Sequence, residues 1–169
     1  MKTEVVVVIG AGGIGMAIAR RQGFGKHILL ADFNETLLAA AAKELELAGY
    51  QVSLLKVDVS SRESVRALAN KAASLGSVIH VVNTAGVSPN MAPPERVLSV
   101  DLYGSAVVFE EFERVIAPGG SALIVSSMAG HMLPSLAPEQ NQALAFTPAD
   151  EVLKLPFLGP EGVPNSTAV

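Results

Sequence analysis

One stretch constrains this chain more than any other. Glu4 to Ile9 is a continuous, mostly β-branched run, and it leads directly into Gly10-Ala11-Gly12-Gly13-Ile14-Gly15. Six such residues are too few for a buried helix and suit a strand covered on both faces. A helix pattern follows from Gly13 to Gln22. The glycines at 10, 12 and 15 satisfy G-x-G-x-x-G between that strand and that helix. The pattern has a chemical reason. The chain must turn sharply, a pyrophosphate must approach bare backbone, and the N–H groups and positive dipole end of the helix then stabilise the anion.

The alternation continues. All ten prolines lie at Pro89 or later, so the first 88 residues are free to form uninterrupted elements. Strands are predicted at His27 to Ala31, Gln51 to Val57 and Val78 to Val82, with helices at Asn34 to Ala48 and Ser61 to Ser74. Asn34 and Ser60 or Ser61 are the expected N-caps, and Gly49 the residue past a helix end. A long helix is expected from Pro93-Pro94 to about Ile116, stopped by Pro118-Gly119-Gly120, and a fifth strand from Ala122 to Val125. Strict strand–helix alternation implies right-handed crossovers. The expected fold is a Rossmann-type doubly wound α/β domain with five parallel strands in order 3-2-1-4-5, incomplete at its C-terminus. Residues 1–131 form the nucleotide-binding part. Residues 132–169 belong to the same domain as short helices, around Pro138 to Ala145 and Pro148 to Leu155, and an irregular tail from Pro156.

Composition removes other classes. With 169 residues, 50% hydrophobic and a net charge of −4, most of the chain is neither disordered nor a basic nucleic-acid binder. Without cysteine there is no disulfide framework and no thiolate metal site, and no metal is expected. No apolar run reaches the length of a membrane span. The early run after Lys2 breaks into glycines with no convincing cleavage site, so it is read as a cytoplasmic strand rather than a signal peptide.

Asp32 ends the second strand, 22 residues past Gly10. An acid there can accept from ribose hydroxyls and repel a 2′-phosphate, which favours NAD over NADP. It can also simply cap the helix that starts near Asn34. The glycine loop and this acid leave two enzyme classes open: a nucleotide-dependent dehydrogenase and a class I methyltransferase.

The later strand ends weigh against the methyltransferase. They are Asp58-Val59, Asn83-Thr84-Ala85-Gly86 and Ser126-Ser127-Met128-Ala129-Gly130. As a set, over residues 4–131, they resemble the short-chain dehydrogenase/reductase family. The resemblance implies that Gly10, Gly12, Gly13, Ile14 and Gly15 hold a pyrophosphate and that Asp32 takes the adenosine ribose. It implies further that Asp58 and Val59 flank adenine, that Asn83, Ala85 and Gly86 line the cofactor cleft, and that Ser127 orients substrate.

The chain departs from the family at several points. The glycine loop is one residue short, Ile9 stands where threonine is common, and Thr84 replaces the second asparagine of the turn. Asp101 sits where many members carry a helix asparagine that anchors a water. The family's acid–base tyrosine, followed four residues later by its helper lysine, has no counterpart. Tyr50 is followed at that distance by Leu54 and Tyr103 by Val107, and the only lysine after Lys71 is Lys154. His131 is read as a loop histidine without a role, and Glu110, Glu111 and Glu113 as a solvated helix face. The helix 94–116 is apolar on more than one side, through Val97, Leu98, Leu102, Val107, Val108, Phe109, Phe112, Val115 and Ile116, which implies self-association or cover by the tail from Ala137. The expected function is NAD-dependent hydride transfer at a small alcohol or ketone, crippled or absent for want of the Tyr/Lys pair. A non-catalytic NAD-binding or interaction module is the alternative.

Overall fold

Val5, Val6, Val7, Val8 and Ile9 are fully buried in strand β1 (Glu4–Ile9), the centre of the computed structural model, which describes residues 2–132 and 135–158. Successive side chains of a strand point to opposite faces. Val5, Val7 and Ile9 accordingly join one apolar core, and Val6 and Val8 another. Each such side chain contributes roughly 1.5–3 kcal/mol by leaving water. This two-sided burial makes the β-branched run a central strand.

Four more strands flank it, all parallel: β2 (His27–Asp32), β3 (Gln51–Lys56), β4 (Ser77–Asn83) and β5 (Ile116–Ile124), in order β3-β2-β1-β4-β5. The expected order holds. Helices α1 (Gly13–Gln22) and α2 (Glu35–Leu47) cover one face. There Met16, Ala19, Leu38, Ala41 and Leu45 pack on Val6, Val8, Ile28 and Leu30. On the other face lie α3 (Arg62–Leu75), α4 (Pro94–Val97) and α5 (Gly104–Glu113). The caps are those expected. Asn34 accepts from the Leu37 N–H at 3.1 Å, Ser61 accepts from the Ser64 N–H at 3.3 Å, and Gly49 takes φ +87° past α2.

The segment after Pro93 departs from expectation in three ways. First, the long helix carries a π-helical stretch, Leu98–Tyr103, between α4 and α5. Backbone angles stay helical across both joints, so it is one helix with a widened turn. Directly after that turn the backbone presses against the loop behind β3: a Cβ on Gly104 would stand 2.9 Å from Val59 Cγ2. Second, the helix ends at Glu113, and β5 starts at Ile116 instead of Ala122. Pro118-Gly119-Gly120 does not separate helix from strand. Ile116 pairs with Val78 and Ser121 with His80, so residues 117–120 bulge out opposite Ile79 alone. An edge strand tolerates this, because Pro118 has no N–H to donate and Gly119 adopts φ +81°.

Third, Glu111 is not solvated. It is 2% exposed, and it accepts from Arg62 Nη1 at 2.9 Å and from Arg66 Nε and Nη2 at 3.1 Å, with Arg114 also paired to it. Its neighbour Glu110 accepts from Arg62 Nη2 at 2.6 Å and from the Ala149 N–H at 2.9 Å. Of the three acids, Glu113 alone is exposed.

Past β5 come α6 (Pro138–Phe146) and α7 (Ala149–Val152), close to the two short helices expected. Ala149 and Val152 are buried, and α7 contacts both α5 and the π-helical turn. It covers part of the helix face whose apolar residues had implied a partner. Phe109 stays 45% exposed. The short helical turn Pro156–Leu158 follows, and the rest of the expected irregular tail lies outside the described residues.

Candidate functional site

The carboxyl ends of β1 to β4 open onto a cleft of about 500 Å³. In an open parallel sheet this is where ligands bind, beside the point where strand order reverses. Here β1 connects outward to β2 and β4 lies on its other side, so the cleft sits over that switch point.

The glycine turn forms its floor. Gly10 leaves β1 with φ +99°, its N–H on the Ala31 carbonyl at 2.7 Å. A Cβ at Gly15 would fall 1.8 Å from the Gly10 carbonyl oxygen, and one at Gly10 would fall 2.4 Å from Thr84 Oγ1. These two glycines are demanded by close packing. Gly12 and Gly13 are demanded by nothing within the protein, since a Cβ on either would meet no atom within 4 Å. Gly12 is the N-cap of α1 and carries no side-chain cap. The first N–H groups of α1 therefore lack partners from that residue, beside open space.

Two carboxylates line the cleft. Asp32 accepts from the Ala11 N–H through Oδ2 at 2.7 Å and from the Asn34 N–H through Oδ1 at 2.8 Å. Asp32 anchors the glycine loop and the residue that caps α2, Asn34, rather than capping that helix itself, and it lines the cleft. Asp58 accepts through Oδ1 from the Ser60 N–H at 3.0 Å and from Ser60 Oγ at 2.6 Å. The open backbone, the start of α1 without a side-chain cap and the two acceptors suit an anion carrying hydroxyl and amino groups.

Gly10, Gly12, Gly13, Ile14, Gly15, Asp32, Asp58, Val59, Ala85 and Gly86 all line this cleft. Asn83 and Ser127 do not. Asn83 ends β4 fully buried, accepting from the Ala85 N–H at 3.1 Å, and its Nδ2 has no partner among the described residues. It shapes the turn from beneath. Ser127 is exposed, in the loop between β5 and the short turn Met128–His131. Sequence reasoning missed Phe33, Leu37, Met91 and Arg96, which also line the cleft. No motif marks them. It also treated Thr84 only as a departure, whereas Thr84 fastens the glycine turn to β4.

Asp101 lies in the π-helical turn and accepts from the Val87 N–H at 2.9 Å. Burial pushes its carboxyl above the usual carboxylate range, while that hydrogen bond pulls the other way. Tyr50 donates to the Arg20 carbonyl, near the amino end of β3. Tyr103 donates to Asp150 at 3.2 Å, and burial followed by that acid holds its phenol above the usual value. Lys154 pairs with Glu151. Among the described residues no group of three metal-ligating side chains comes together, and no helix is long and apolar enough to cross a membrane.

Comparison with known proteins places this architecture. The family profile described as short chain dehydrogenase matches residues 4–138. The short-chain dehydrogenase/reductase bsc3 of Alternaria brassicicola is 43% identical over 159 residues, which is 94% of this chain and 58% of that protein. A short chain dehydrogenase/reductase from Burkholderia phymatum, crystallised in complex with NAD, is similar with a TM-score of 0.70 at 27% identity, over 85% of this chain and 56% of its own. A metagenomic short-chain oxidoreductase in complex with NADP reaches 0.68 at 30% identity, over 78% of this chain and 65% of its own. The chain thus spans less than two thirds of the length of each of these relatives.

Proposed function

The chain belongs to the short-chain dehydrogenase/reductase family, and on that premise we propose that its cleft holds NAD for hydride transfer at a small secondary alcohol or ketone. The bare backbone at Gly12 and Gly13, open to the cleft at the start of α1, carries this reading. That surface suits a pyrophosphate. Asp32, held from two sides by Ala11 and Asn34, accepts from the adenosine ribose hydroxyls and repels a 2′-phosphate, which favours NAD over NADP. Asp58 and Val59 flank adenine. Ala85 and Gly86 border the dinucleotide, and Asn83 holds their turn in shape. When bound, the nicotinamide ring accepts or gives the hydride. Ser127 orients the substrate hydroxyl or carbonyl.

Proton transfer is the weak step. A positioned acid–base group is worth about 10²–10⁴-fold. Tyr103 bonds to Asp150 and Lys154 to Glu151, and neither lines the cleft, so neither supplies one there. These commitments favour a second reading, in which this chain binds NAD with turnover crippled or lost. Self-association stays part of the proposal for the strip that α7 leaves open, around Phe109 and Ile116.

Calorimetry with NAD, NADP and S-adenosylmethionine tests the proposal. NAD is expected to bind more tightly than NADP, and S-adenosylmethionine not at all. Binding of S-adenosylmethionine alone would return the methyltransferase reading and sink this one. If NAD binds, absorbance at 340 nm over a panel of secondary alcohols separates the two readings. Steady formation of NADH would show that catalysis is intact.

A further inference from the structure

The widened turn Leu98–Tyr103 serves the cleft from behind. Val100 lines the cleft, and Asp101 holds the N–H of Val87, another lining residue. Directly after the turn, Gly104 packs against Val59, a third. Tyr103, the last residue of the turn, does not line the cleft. Its hydroxyl instead donates to Asp150 Oδ1, in α7, at 3.2 Å. The same oxygen accepts from Arg62 Nε at 3.0 Å.

Arg62 is fixed without Asp150. It opens α3, its Nη1 donates to Glu111 at 2.9 Å, and its Nη2 donates to Glu110 at 2.6 Å. The docking of α7 does not need Asp150 either, because Ala149 and Val152 are buried and the Ala149 N–H is held by Glu110. Tyr103 is different. Among the described residues its hydroxyl donates to nothing else. Asp150 is therefore a bridge from a fixed post, Arg62, to the widened turn.

A stabilising role explains little of this bridge. The Asp150 side chain is 61% exposed, and ion pairs so exposed add little to folding stability. What the bridge does provide is restraint. A π-helical turn is rare and confined to single turns, so contacts from outside the helix decide how firmly it keeps its shape. A turn already held in the binding shape spares a ligand the cost of ordering it.

The geometry points to Asp150 as a positioning residue for the cleft. Through Tyr103 it holds the widened turn where Val100 and the Asp101–Val87 contact form the cleft wall, and so α7, which touches no ligand, raises the affinity for NAD. This rests on the reading of the cleft as an NAD site.

The test measures NAD affinity by calorimetry in wild-type protein, Asp150→Ala, Tyr103→Phe, the double variant and Asp150→Asn. Each of the first two variants is expected to bind NAD about threefold more weakly, the size that one partly exposed hydrogen bond supports. The double variant binds no more weakly than either, because both changes remove one link. Asp150→Asn keeps an acceptor for Tyr103 and stays within about 1.5-fold of wild type. A merely structural role would lower melting midpoints and leave NAD affinity alone. Unchanged affinity in Asp150→Ala or in Tyr103→Phe overturns the inference while leaving the NAD site standing. So do losses that multiply to about ninefold in the double variant, and so does an Asp150→Asn variant as weak as Asp150→Ala. Failure of wild-type protein to bind NAD overturns the site itself and this inference with it.

Discussion

The Thr84 hydroxyl donates to the Ile9 carbonyl at 2.9 Å and to the Gly10 carbonyl at 3.2 Å, so the end of β4 fastens the chain where it leaves β1. The Thr84 N–H reaches the same Ile9 oxygen at 2.7 Å. A residue that departs from the usual asparagine turn therefore has a definite task. Its hydroxyl also fills the space beside Gly10 that a Cβ would need. Thr84→Val keeps the shape and removes the donor. It should cost about 1–1.5 kcal/mol and lower the melting midpoint by roughly 3–5 °C, read by circular dichroism. A midpoint within a degree of wild type would show that the hydroxyl does not hold the turn.

The glycines of the loop separate into two kinds, and alanine distinguishes them. Gly15→Ala drives a methyl into the Gly10 carbonyl, and neither backbone can yield. Expression in inclusion bodies or loss of cooperative melting is expected. Gly12→Ala meets nothing, and Gly12 has an ordinary φ of −75°. Its melting midpoint should stay within about 3 °C of wild type, because losing glycine at an N-cap costs at most about 1 kcal/mol. Affinity for NAD should nonetheless fall at least tenfold, since the methyl occupies the approach to bare backbone. Unchanged affinity in calorimetry would place the pyrophosphate elsewhere.

Much of this was legible because it is local. The run Val5–Ile9, the glycine spacing and the caps at Asn34 and Ser61 depend on neighbours a few residues away, so the pattern alone indicates them. What could not be read depends on distant partners. Pro118-Gly119-Gly120 signals a break in any sequence, and only the register with Val78 and His80 makes it a bulge within a strand. Three acids on one helix signal solvent, and only arginines 45 and 49 residues away make Glu111 a buried one. No periodicity distinguishes the widened turn at Leu98–Tyr103 from the helix around it. Arg96 belongs to no motif, and its link to Asp58 exists only once α4 lies against the loop after β3.

Glu111 joins α5 to α3 through a nearly dry carboxylate that faces several guanidinium groups. Removing one partner of a buried pair costs far more than the pair itself contributes, because the remaining charges lose their counter-ion. Arg66 and Arg114 are about half exposed and can turn to water, and Arg62, 20% exposed, keeps Glu110 and Asp150 as counter-ions. Glu111→Ala should therefore destabilise the fold by about 2 kcal/mol, less than stranding a buried charge would cost, measured by urea denaturation. Glu111→Leu, which fills the space, should cost less than Glu111→Ala. Equal losses in both variants would show that the lost charge, and not the cavity, decides.

Glu110 gives the packing of α7 a pH dependence. The Ala149 N–H, followed by the Arg62 guanidinium, holds its carboxyl below the usual carboxylate range. An acid whose folded-state pKa is lowered contributes stability that is fully present above its unfolded value, near 4.3, and is lost as pH falls through the folded value. The carboxylate is 40% exposed, so solvent screening limits the contribution to about 0.5 kcal/mol. Glu110→Gln keeps an acceptor for Ala149 but cannot ionise. At pH 7 its melting midpoint should lie roughly 1–2 °C below wild type, and the gap should narrow as pH falls through the lowered folded-state value and close once the Glu110 carboxyl is protonated in the folded protein. Amide exchange at Ala149, compared between the two proteins at equal pH, should follow the same course if this contact is what ties α7 to α5. A gap that persists undiminished at low pH would mean that ionisation of Glu110 does not hold the two helices together.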